Sequence, residues 1–416
     1  MTDMSRIITF LHTLFPHELH DRIFLVGGTV RDSLRGEENH DIDLVAVLPH
    51  HKLLALGYRL VETTSSASIY FKHHHAFGKI EITRIHNLAE LEDDLRRRDF
   101  TVNAMAMGLD GVLIDPLCGK DDLKAGLLRM CSNHTFVGDP LRIFRAFRFE
   151  ADGWSMTVET LALIQVQEWA HLLKALPVER FSNEMLKSLG KKAPELFFQR
   201  MIELNIGEKF LPELFRMPAI PAGPLEHHPE GDLFTHSVQV LQRVAQQTTD
   251  PLARFCAFFH DIGKLATDPA RYPAHHGHDE SGFDMAVDFC ERLCLPTLYR
   301  KALAWISRLH GNAHKWNELR DSTKINMAEH ALRAHIVDIL PMVSLADKWG
   351  GAPMAKWEAV VAIARMNTHE LEIDRVKLEC IQPENRPSYL LQRRVEKLRR
   401  STHSDKTSSA HDNHVR

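Results

Sequence analysis

Cysteine is scarce in this chain of 416 residues, and long apolar runs are missing. The six cysteines form no CxxC pair and no disulfide-like framework, which favours a reducing compartment. They are Cys118, Cys131, Cys256, Cys290, Cys294 and Cys380. No apolar run is long enough to span a bilayer, and the N-terminus lacks the basic start and small-residue cleavage site of a secretory signal. The sequence therefore predicts a cytoplasmic protein with no membrane partner.

The chain also has no excess of basic residues. It carries 51 Lys and Arg against 55 Asp and Glu, which gives a formal net charge of −4. Any nucleic-acid partner must therefore be bound by local basic patches and not by overall charge. The hydrophobic fraction of 44% and the charged fraction of 25% are typical of an ordinary globular protein. Because 416 residues exceed what one core usually serves, we expect two or more packed units.

Hydrophobic periodicity divides the chain into a mixed N-terminal part and a helical remainder. Short segments predict strands at 23–26, 43–47, 68–72 and 79–85. The alternation of apolar and polar residues is clearest in the last of these segments. Amphipathic segments predict helices at 139–149, 156–176, 179–190 and 194–206.

A segment rich in proline and glycine at 212–232 predicts a domain boundary, because a continuous helix could not cross it. Helical periodicity returns at 233–350, and the last residues have almost nothing to bury. The predicted domains are a head at 1–120, a helical neck and body at 121–215, a helical domain at 222–370, and a basic helix with a disordered tail at 371–416.

The sequence LVGGTVRDSLRG predicts a strand that passes through Gly27 and Gly28 into a helix carrying Arg31. Two glycines at such a turn let the backbone approach an anion, and the helix N-terminus adds amide donors and a favourable dipole. A triphosphate would fit this turn. A glycine pair is also common turn chemistry, so this segment alone does not decide the function.

Asp41 and Asp43 lie two residues apart on a predicted strand, so both point to one face while Ile42 and Leu44 face the other. Two neighbouring carboxylates repel unless a cation lies between them. Oxygen donors of this kind suit Mg²⁺, which also takes ligands from substrate phosphates. A solvated strand face is the alternative, and it is the commoner meaning of an isolated DxD.

Residues 93–104 form the third motif and predict a helix. Such a helix would place Asp99 and Asn103 one turn apart, near Arg98. Arginines here could clamp phosphates, although a charge run on a helix is more often a solvated face.

The fourth motif occupies residues 138–149. Asp139 and Pro140 suit the start of a helix, which is a sufficient structural reason for both. Arg142, Arg145 and Arg148 then recur every three residues and form a basic ridge beside an apolar one.

Taken in this order and spacing, the motifs resemble those of the class II tRNA nucleotidyltransferases, which include the CCA-adding enzymes and bacterial poly(A) polymerases. The likeness covers residues 22–190 and comprises GGTVRD, DID, RRDFTVNA, DPLRIFRAFRF and LPVERFSNEM. It implies an α+β fold, with a DNA polymerase beta-like nucleotidyltransferase head followed by a helical neck and body. It also implies that tRNA, CTP and ATP are the partners, and no obligate protein partner is evident in the sequence.

The resemblance assigns site residues as well. Asp41 and Asp43 would be catalytic and would hold two Mg²⁺ ions, one activating the RNA 3′ hydroxyl and one neutralising the triphosphate. Nucleotide binding would fall to Gly28, Arg31, Arg98, Asp139, Arg142 and Arg145. Asp139 and Arg142 match a protein template, in which the Asp accepts from an exocyclic amine and the Arg donates to ring acceptors, as C and A require.

Two further positions bear on this assignment. Glu81 lies roughly where the superfamily keeps a third carboxylate, but it could equally be an exposed strand residue. Gly138 departs from the family pattern, which has an acidic residue just before the template Asp and uses it to steady the template Arg.

Beyond the predicted boundary, a second group of residues has the composition of a metal site. His236, the pair His260-Asp261 within HDIGK, and the distal Asp347 combine imidazole and carboxylate donors. Such donors can hold a divalent metal that lowers the pKa of water. A histidine satisfied in the core is the alternative for each position.

The order of these residues resembles that of the HD superfamily of metal-dependent phosphohydrolases. The resemblance implies an all-helical HD domain with 2′,3′-cyclic phosphodiesterase, 2′-nucleotidase and phosphatase activities. The metal would be a divalent transition metal such as Ni²⁺, although Mn, Co, Fe or Zn suit the same donors.

The sequence thus predicts an enzyme that adds C, C and A to the tRNA 3′ end from CTP and ATP, with a second, hydrolytic site. An enzyme that adds only the two C residues is an alternative, because the family keeps a flexible loop where only IHNLAELEDDLR separates Arg84 from Arg97. Further alternatives are an HD phosphohydrolase or RNA-binding regulator with an inactive head, and a poly(A) polymerase.

Overall fold

A computed structural model describes residues 3–37, 41–61, 68–166, 168–348 and 350–411. The chain divides into two compact units, Met1–Leu176 and Pro177–Arg416. This division lies inside the segment predicted as neck and body, and the domain ranges stay predictions. Within the described residues, no helix combines the length and the apolar character that a bilayer span requires.

A seven-stranded mixed sheet with strand order β3-β4-β5-β2-β1-β6-β7 organises the first unit. Its strands are β1 (Ile23–Val26), β2 (Ile42–Ala46), β3 (Arg59–Val61), β4 (Ser68–His74), β5 (Gly78–Arg84), β6 (Ala106–Gly108) and β7 (Leu113–Ile114). Strands β2 and β5 are parallel, with Asp43 opposite Glu81, and the other neighbours are antiparallel. The parallel pair therefore brings two carboxylates from distant parts of the sequence side by side.

Both faces of this sheet are covered by apolar side chains. Leu44 packs in one hydrophobic cluster and its neighbour Val45 in another, because successive strand residues point to opposite faces. The unit also contains a small parallel pair, β8 (Leu127–Leu128) and β9 (Ser155–Met156). Its helices are α1 (Asp3–Leu14), α2 (Gly28–Arg35), α3 (His50–Ala55), α4 (Glu90–Arg96), α5 (Gly119–Ala125), α6 (Thr135–Gly138), α7 (Leu141–Ala151), α8 (Val158–Gln165) and α9 (Ala170–Lys174).

The predicted helix at 93–104 is wrong. Helix α4 ends at Arg96, and a short 3-10 turn follows at Thr101–Asn103. The backbone between them pairs with a distant segment, since the amide of Thr101 donates to the carbonyl of Arg129 and that of Cys131 donates to the carbonyl of Asp99. These long-range hydrogen bonds, together with the complete burial of Phe100, draw the chain out of the helix.

Other predicted elements agree with the structure to within a few residues. The four predicted strands correspond to β1, β2, β4 and β5, and the predicted helix at 139–149 corresponds to α7. The single helix predicted at 156–176 is instead two helices, α8 and α9.

The second unit is helical, and among its described residues the only sheet-like pairing is an isolated bridge between Pro221 and Asp232. Its helices are α10 (Val178–Leu189), α11 (Glu195–Glu203), α12 (Pro212–Arg216), α13 (Leu233–Ala245), α14 (Pro251–Phe259), α15 (His278–Arg292), α16 (Thr297–His314), α17 (Asp321–Ala334), α18 (Ile339–Asp347), α19 (Trp357–Arg365), α20 (Arg375–Glu379) and α21 (Arg386–His411). Helix α21 includes the predicted basic helix and part of the predicted tail, of which residues 412–416 lie outside the described residues.

Candidate active sites

The turn between β1 and α2 requires glycine at position 27. Gly27 has φ 64° and ψ −132°, a backbone conformation that residues with a Cβ rarely adopt. A methyl group placed on Gly27 would lie 2.8 Å from Nη1 of Arg98 and 3.7 Å from Oδ2 of Asp43. The start of α2, a guanidinium and a carboxylate therefore meet at this turn, with Gly28 as the first helical residue.

The two predicted catalytic aspartates are positioned by strand β2 and by Thr29. The buried Thr29 hydroxyl accepts from the amide of Asp43 (3.0 Å) and donates to the carbonyl of Asp41 (3.2 Å). Burial and, next, the charge of Glu81 raise the pKa of Asp43 above its ordinary value. A raised carboxylate pKa beside other acids marks a place where a cation would be stabilised, which fits oxygen-bound Mg²⁺.

Strand β5 adds two charged residues to this face. Glu81 lies opposite Asp43, so of its two interpretations the geometry favours the one in which it joins the carboxylate group. Lys79 forms an ion pair with Glu81, and its backbone amide donates to Oδ1 of Asp41 (3.3 Å). The hydrogen bond to Glu81 raises the pKa of Lys79. Sequence reasoning missed Lys79, although the alternation in KIEITRI places it on the face of Glu81.

Arg98 and Arg31 flank the glycine turn. The guanidinium of Arg98 donates two hydrogen bonds to Asp94, at 3.0 and 3.2 Å. Arg31 pairs with Asp32 at 2.6 Å and donates to Oδ1 of Asn103 at 2.5 Å. These hydrogen bonds fix the positions of both arginines. Because both side chains are partly exposed, their charge remains accessible.

Asp99 links the 97–103 segment to α7. Its carboxylate accepts from Asn103 (2.9 Å), from the amide of Phe100 (2.8 Å) and from Arg145, at 2.7 and 2.8 Å. Burial alone would raise the pKa of Asp99, but the charge of Arg145 and these hydrogen bonds hold it well below its usual range. The predicted nucleotide ligand Arg145 thus has a carboxylate partner within the protein.

Arg142, the predicted base reader, is held by main-chain carbonyls. It donates to the carbonyls of Arg97 (2.8 Å), Arg98 (3.3 Å) and Thr135 (3.1 Å). Asp139 lies just before α7 and accepts from the amide of Leu141 at 3.2 Å.

The glycine that replaces the family's acidic residue lies in open space. A side chain at Gly138 would meet no atom within 4 Å. Space therefore does not explain the glycine at this position.

In the second unit the structure brings together the four predicted metal ligands. His236 lies on α13, His260 and Asp261 follow α14, and Asp347 ends α18. The Nε2 atom of His236 is 2.9 Å from Asp347 and that of His260 is 3.2 Å from Asp261. All four side chains are buried. One ligand atom from each lies within 4.8 Å of the others, as a shared ion would require.

Buried polar atoms without partners indicate that this site suits a metal. Nε2 of His236, Nε2 of His260 and Oδ1 of Asp261 are buried, and although they lie 2.9–3.4 Å from neighbouring ligand groups, none of these contacts has the geometry of a hydrogen bond. Leaving such atoms unpaired is costly unless an ion or water satisfies them. Nitrogen and carboxylate donors together suit a divalent transition metal.

Surrounding groups orient these ligands. Glu230 accepts from Nδ1 of His236 at 2.7 Å, so the Nε2 lone pair of His236 faces the site. Burial would raise the pKa of Glu230, but the hydrogen bond from His236 and others lower it to about 2. Nδ1 of His260 donates to the carbonyl of Ala257 at 2.9 Å, and the Lys264 ammonium lies 2.6 Å from Oδ2 of Asp261. Sequence reasoning missed Glu230, which lies in the boundary segment.

Asp261 also faces a second group of donors. Its Oδ1 atom lies 3.4 Å from Nε2 of His278 and 3.3 Å from Nε2 of His310. These three residues form another set with ligand atoms within 4.8 Å, and Asp279 lies 3.2 Å from His278. A cavity of about 770 Å³ opens onto both groups, and its lining also includes Lys315.

Three regions of the chain match known protein families. Residues 59–129 match the poly A polymerase head domain, and residues 155–217 match a probable RNA and SrmB-binding site of polymerase A. Residues 233–348 match the HD domain. The predicted fold class, a nucleotidyltransferase head followed by helices and an HD domain, is confirmed.

Solved structures of similar fold include the Thermotoga maritima CCA-adding enzyme complexed with tRNA. It has a TM-score of 0.60 at 21% identity, covering 96% of this chain and 92% of that one. The Bacillus stearothermophilus CCA-adding enzyme in complex with CTP has a TM-score of 0.62 at 20% identity, covering 98% and 94%.

Two curated relatives are closer in sequence. The multifunctional CCA protein of Methylococcus capsulatus is 35% identical over 364 residues, which are 81% of this chain and 85% of that protein. That of Thioalkalivibrio sulfidiphilus is 35% identical over 325 residues, covering 74% and 79%. With its polymerase head, RNA-binding segment and HD domain in this order, the chain belongs to the family of the multifunctional CCA proteins.

Proposed function

We propose that this protein adds C, C and A to the 3′ end of tRNA, using CTP and ATP, and that its HD domain hydrolyses phosphate esters. The observation that carries the transferase proposal is the meeting of Gly27, Asp43 and Arg98 at the start of α2. The names of the relatives, which describe CCA proteins and complexes with tRNA and CTP, support the choice of substrates.

The residues of the head have separate roles in this reaction. Asp41 and Asp43, with Glu81 beside them, would hold Mg²⁺, which when bound lowers the pKa of the 3′ hydroxyl and offsets the charge of the leaving pyrophosphate. The backbone amides at the start of α2 bind polyphosphate oxygens, as helix N-termini do. Arg98, fixed by Asp94, and Arg31 add charge-assisted hydrogen bonds to the same oxygens.

Helix α7 would read the base. The carboxylate of Asp139 accepts from the exocyclic amine that cytosine and adenine share, and Arg142 donates to their ring acceptors. Uracil and guanine present the opposite pattern and leave a donor or acceptor unpaired. The three carbonyls that hold Arg142 support this role, because they keep a flexible side chain in one position.

The HD domain would act as a metal-dependent hydrolase. His236, His260, Asp261 and Asp347 would hold a divalent metal such as Ni²⁺, which when bound makes water nucleophilic at neutral pH. Lys264 keeps Asp261 ionised and in place, and Lys315 at the cavity wall adds positive charge for a phosphate. The resemblance to the HD phosphohydrolases implies three kinds of substrate: RNA ends with a 2′,3′-cyclic phosphate, which is a diester, RNA ends with a 2′-phosphate, and other phosphomonoesters.

Incubation with end-trimmed tRNA tests the transferase proposal. The protein is supplied with Mg²⁺ and the four labelled nucleoside triphosphates, and the products are sequenced. We expect CCA at the 3′ end, with no incorporation of U or G. A properly folded protein that adds no nucleotide would instead support a hydrolase or regulator with an inactive head, and A tails would indicate a poly(A) polymerase.

An enzyme that adds only CC is the second candidate. Strand β5 ends at Arg84 and α4 begins at Glu90, with Leu91 and Leu95 buried. Of the five residues between these two elements only 86–89 are exposed, and an interval this short favours the interpretation that the family's flexible loop is shortened. A tRNA that already ends in CC, given ATP as the only nucleotide, decides between the two. Addition of A at a rate comparable to that of C supports the complete CCA activity, and no addition supports CC alone.

A further inference from the structure

The catalytic face of the head contains its own cation. Lys79 and Glu81 are two residues apart on β5, so both side chains lie on one face, while Ile80 and Ile82 are fully buried on the other. The parallel register places Asp43 opposite Glu81, and Asp41 receives the backbone amide of Lys79. One ammonium thus lies among three carboxylates.

We propose that Lys79 is a built-in counter-cation of this carboxylate group, which competes with divalent metal for Glu81 and so sets the metal concentration at which the head is loaded. This inference rests on the proposed role of the carboxylates as Mg²⁺ ligands. The ion pair between Lys79 and Glu81 is the observation that carries it.

The ion pair between Lys79 and Glu81 can open, so that a metal ion can take the place of the ammonium. The side chain of Lys79 is 43% exposed and that of Glu81 is 30% exposed, so water reaches both groups and either can separate without burying an unpaired charge. A lysine has a flexible four-carbon stem and can move its ammonium away when another cation arrives. Because one ammonium does not balance three carboxylates, the group remains negative and still attracts a divalent ion.

The neighbouring cation has a different partner. The guanidinium of Arg98 reaches the same turn, but it donates two hydrogen bonds to Asp94, which lies on α4. Arg98 is therefore fixed by a carboxylate outside the proposed metal group. Lys79 is paired within that group, and its removal changes the charge at the carboxylates themselves.

Binding of Mn²⁺ without nucleotide or RNA tests the inference. Free Mn²⁺ is measured by electron paramagnetic resonance in a chain that carries His236→Ala and His260→Ala, which removes two donors of the HD site. In this background we expect Lys79→Met to tighten Mn²⁺ binding by about two- to fivefold, as expected for loss of a partly exposed competing charge. Lys79→Arg keeps the charge and should bind as the parent does.

Lys72→Met is the matched control. Lys72 lies on β4 opposite Ile80, and therefore on the face of the sheet away from Glu81. The substitution removes an equal charge from that other face. It should leave the affinity unchanged. Unchanged or weaker Mn²⁺ binding by Lys79→Met would overturn the inference, as would equal tightening by Lys79→Arg or Lys72→Met. Asp43→Asn tests the underlying role separately: if it binds Mn²⁺ as tightly as the parent, the carboxylates are not the metal ligands and the proposed function fails.

Discussion

Replacement of Gly27 by alanine separates the backbone requirement of the β1–α2 turn from its proposed role in nucleotide binding. The new methyl group would lie 2.8 Å from Nη1 of Arg98, closer than two such atoms can remain. Arg98 can move away because its guanidinium ends a flexible side chain. We therefore expect the substitution to act mainly on nucleotide binding. The free energy of unfolding should fall only by the cost of the strained backbone.

The magnitudes follow from the geometry. A non-glycine residue in this conformation costs about 1–3 kcal/mol, which lowers the melting temperature of a unit of this size by about 2–4 °C per kcal/mol. Displacement of Arg98 forfeits a hydrogen bond from a charged group, about 1.5–3 kcal/mol, so kcat/KM for CTP should fall by about ten- to a hundredfold.

Gly36→Ala is the matched control for this experiment. Gly36 follows the other end of α2 with φ 74°, and a methyl group there would meet no atom within 4 Å. It should cost about 1–2 kcal/mol of stability without changing nucleotide kinetics. Steady-state kinetics and calorimetry on both variants give the answer. If folded Gly27→Ala keeps kcat/KM within about threefold of the parent, the turn does not organise the nucleotide site.

Three further predictions concern the two sites. Asp41→Ala or Asp43→Ala should reduce nucleotide addition by at least about 10²–10³-fold while leaving the circular dichroism spectrum unchanged, and near-normal addition by the folded double variant would refute the catalytic assignment. His260→Ala should eliminate hydrolysis of 2′,3′-cyclic phosphates and spare nucleotide addition; the reverse pattern in paired assays would show that the site is misassigned. Glu230→Gln should weaken metal binding at the HD site by about 10–100-fold in calorimetric titration, because the amide no longer fixes the orientation of His236, and unchanged affinity would contradict that role.

The predictable parts of the fold were those that depend on local pattern. In strand β5 the buried residues Ile80 and Ile82 alternate with polar neighbours, and this period of two can be recognised in the sequence alone. The helix predicted at 93–104 was wrong because its helical pattern is overridden by hydrogen bonds to residues 129–131, which are distant in sequence.

The candidate sites likewise contain residues that local motifs predict and contacts that depend on the folded structure. Motifs sufficed to predict Asp41, Asp43 and the four HD-domain residues as metal ligands, since residue type and spacing carry their chemistry, and these roles stay predictions. The pairing of Glu81 with Asp43 depends on the register of β5 against β2, which spacing alone does not specify. Glu230 was missed because its carboxylate meets His236 only after the proline-rich segment turns back on itself.

The three main-chain carbonyls that accept hydrogen bonds from Arg142 affect which sequence changes the site can tolerate. Every amino acid supplies a carbonyl, so the support from positions 97, 98 and 135 persists whichever side chains mutation places there. The proposed base reader thereby keeps its support through most point substitutions around it, and the chain can carry Gly138 in place of an acidic residue without leaving Arg142 unsupported. What would release Arg142 is a change in the path of the backbone, such as an insertion between α4 and Asp99. The proposed role of Arg142 therefore predicts that a change in the length of that segment, more than in its composition, alters base selection.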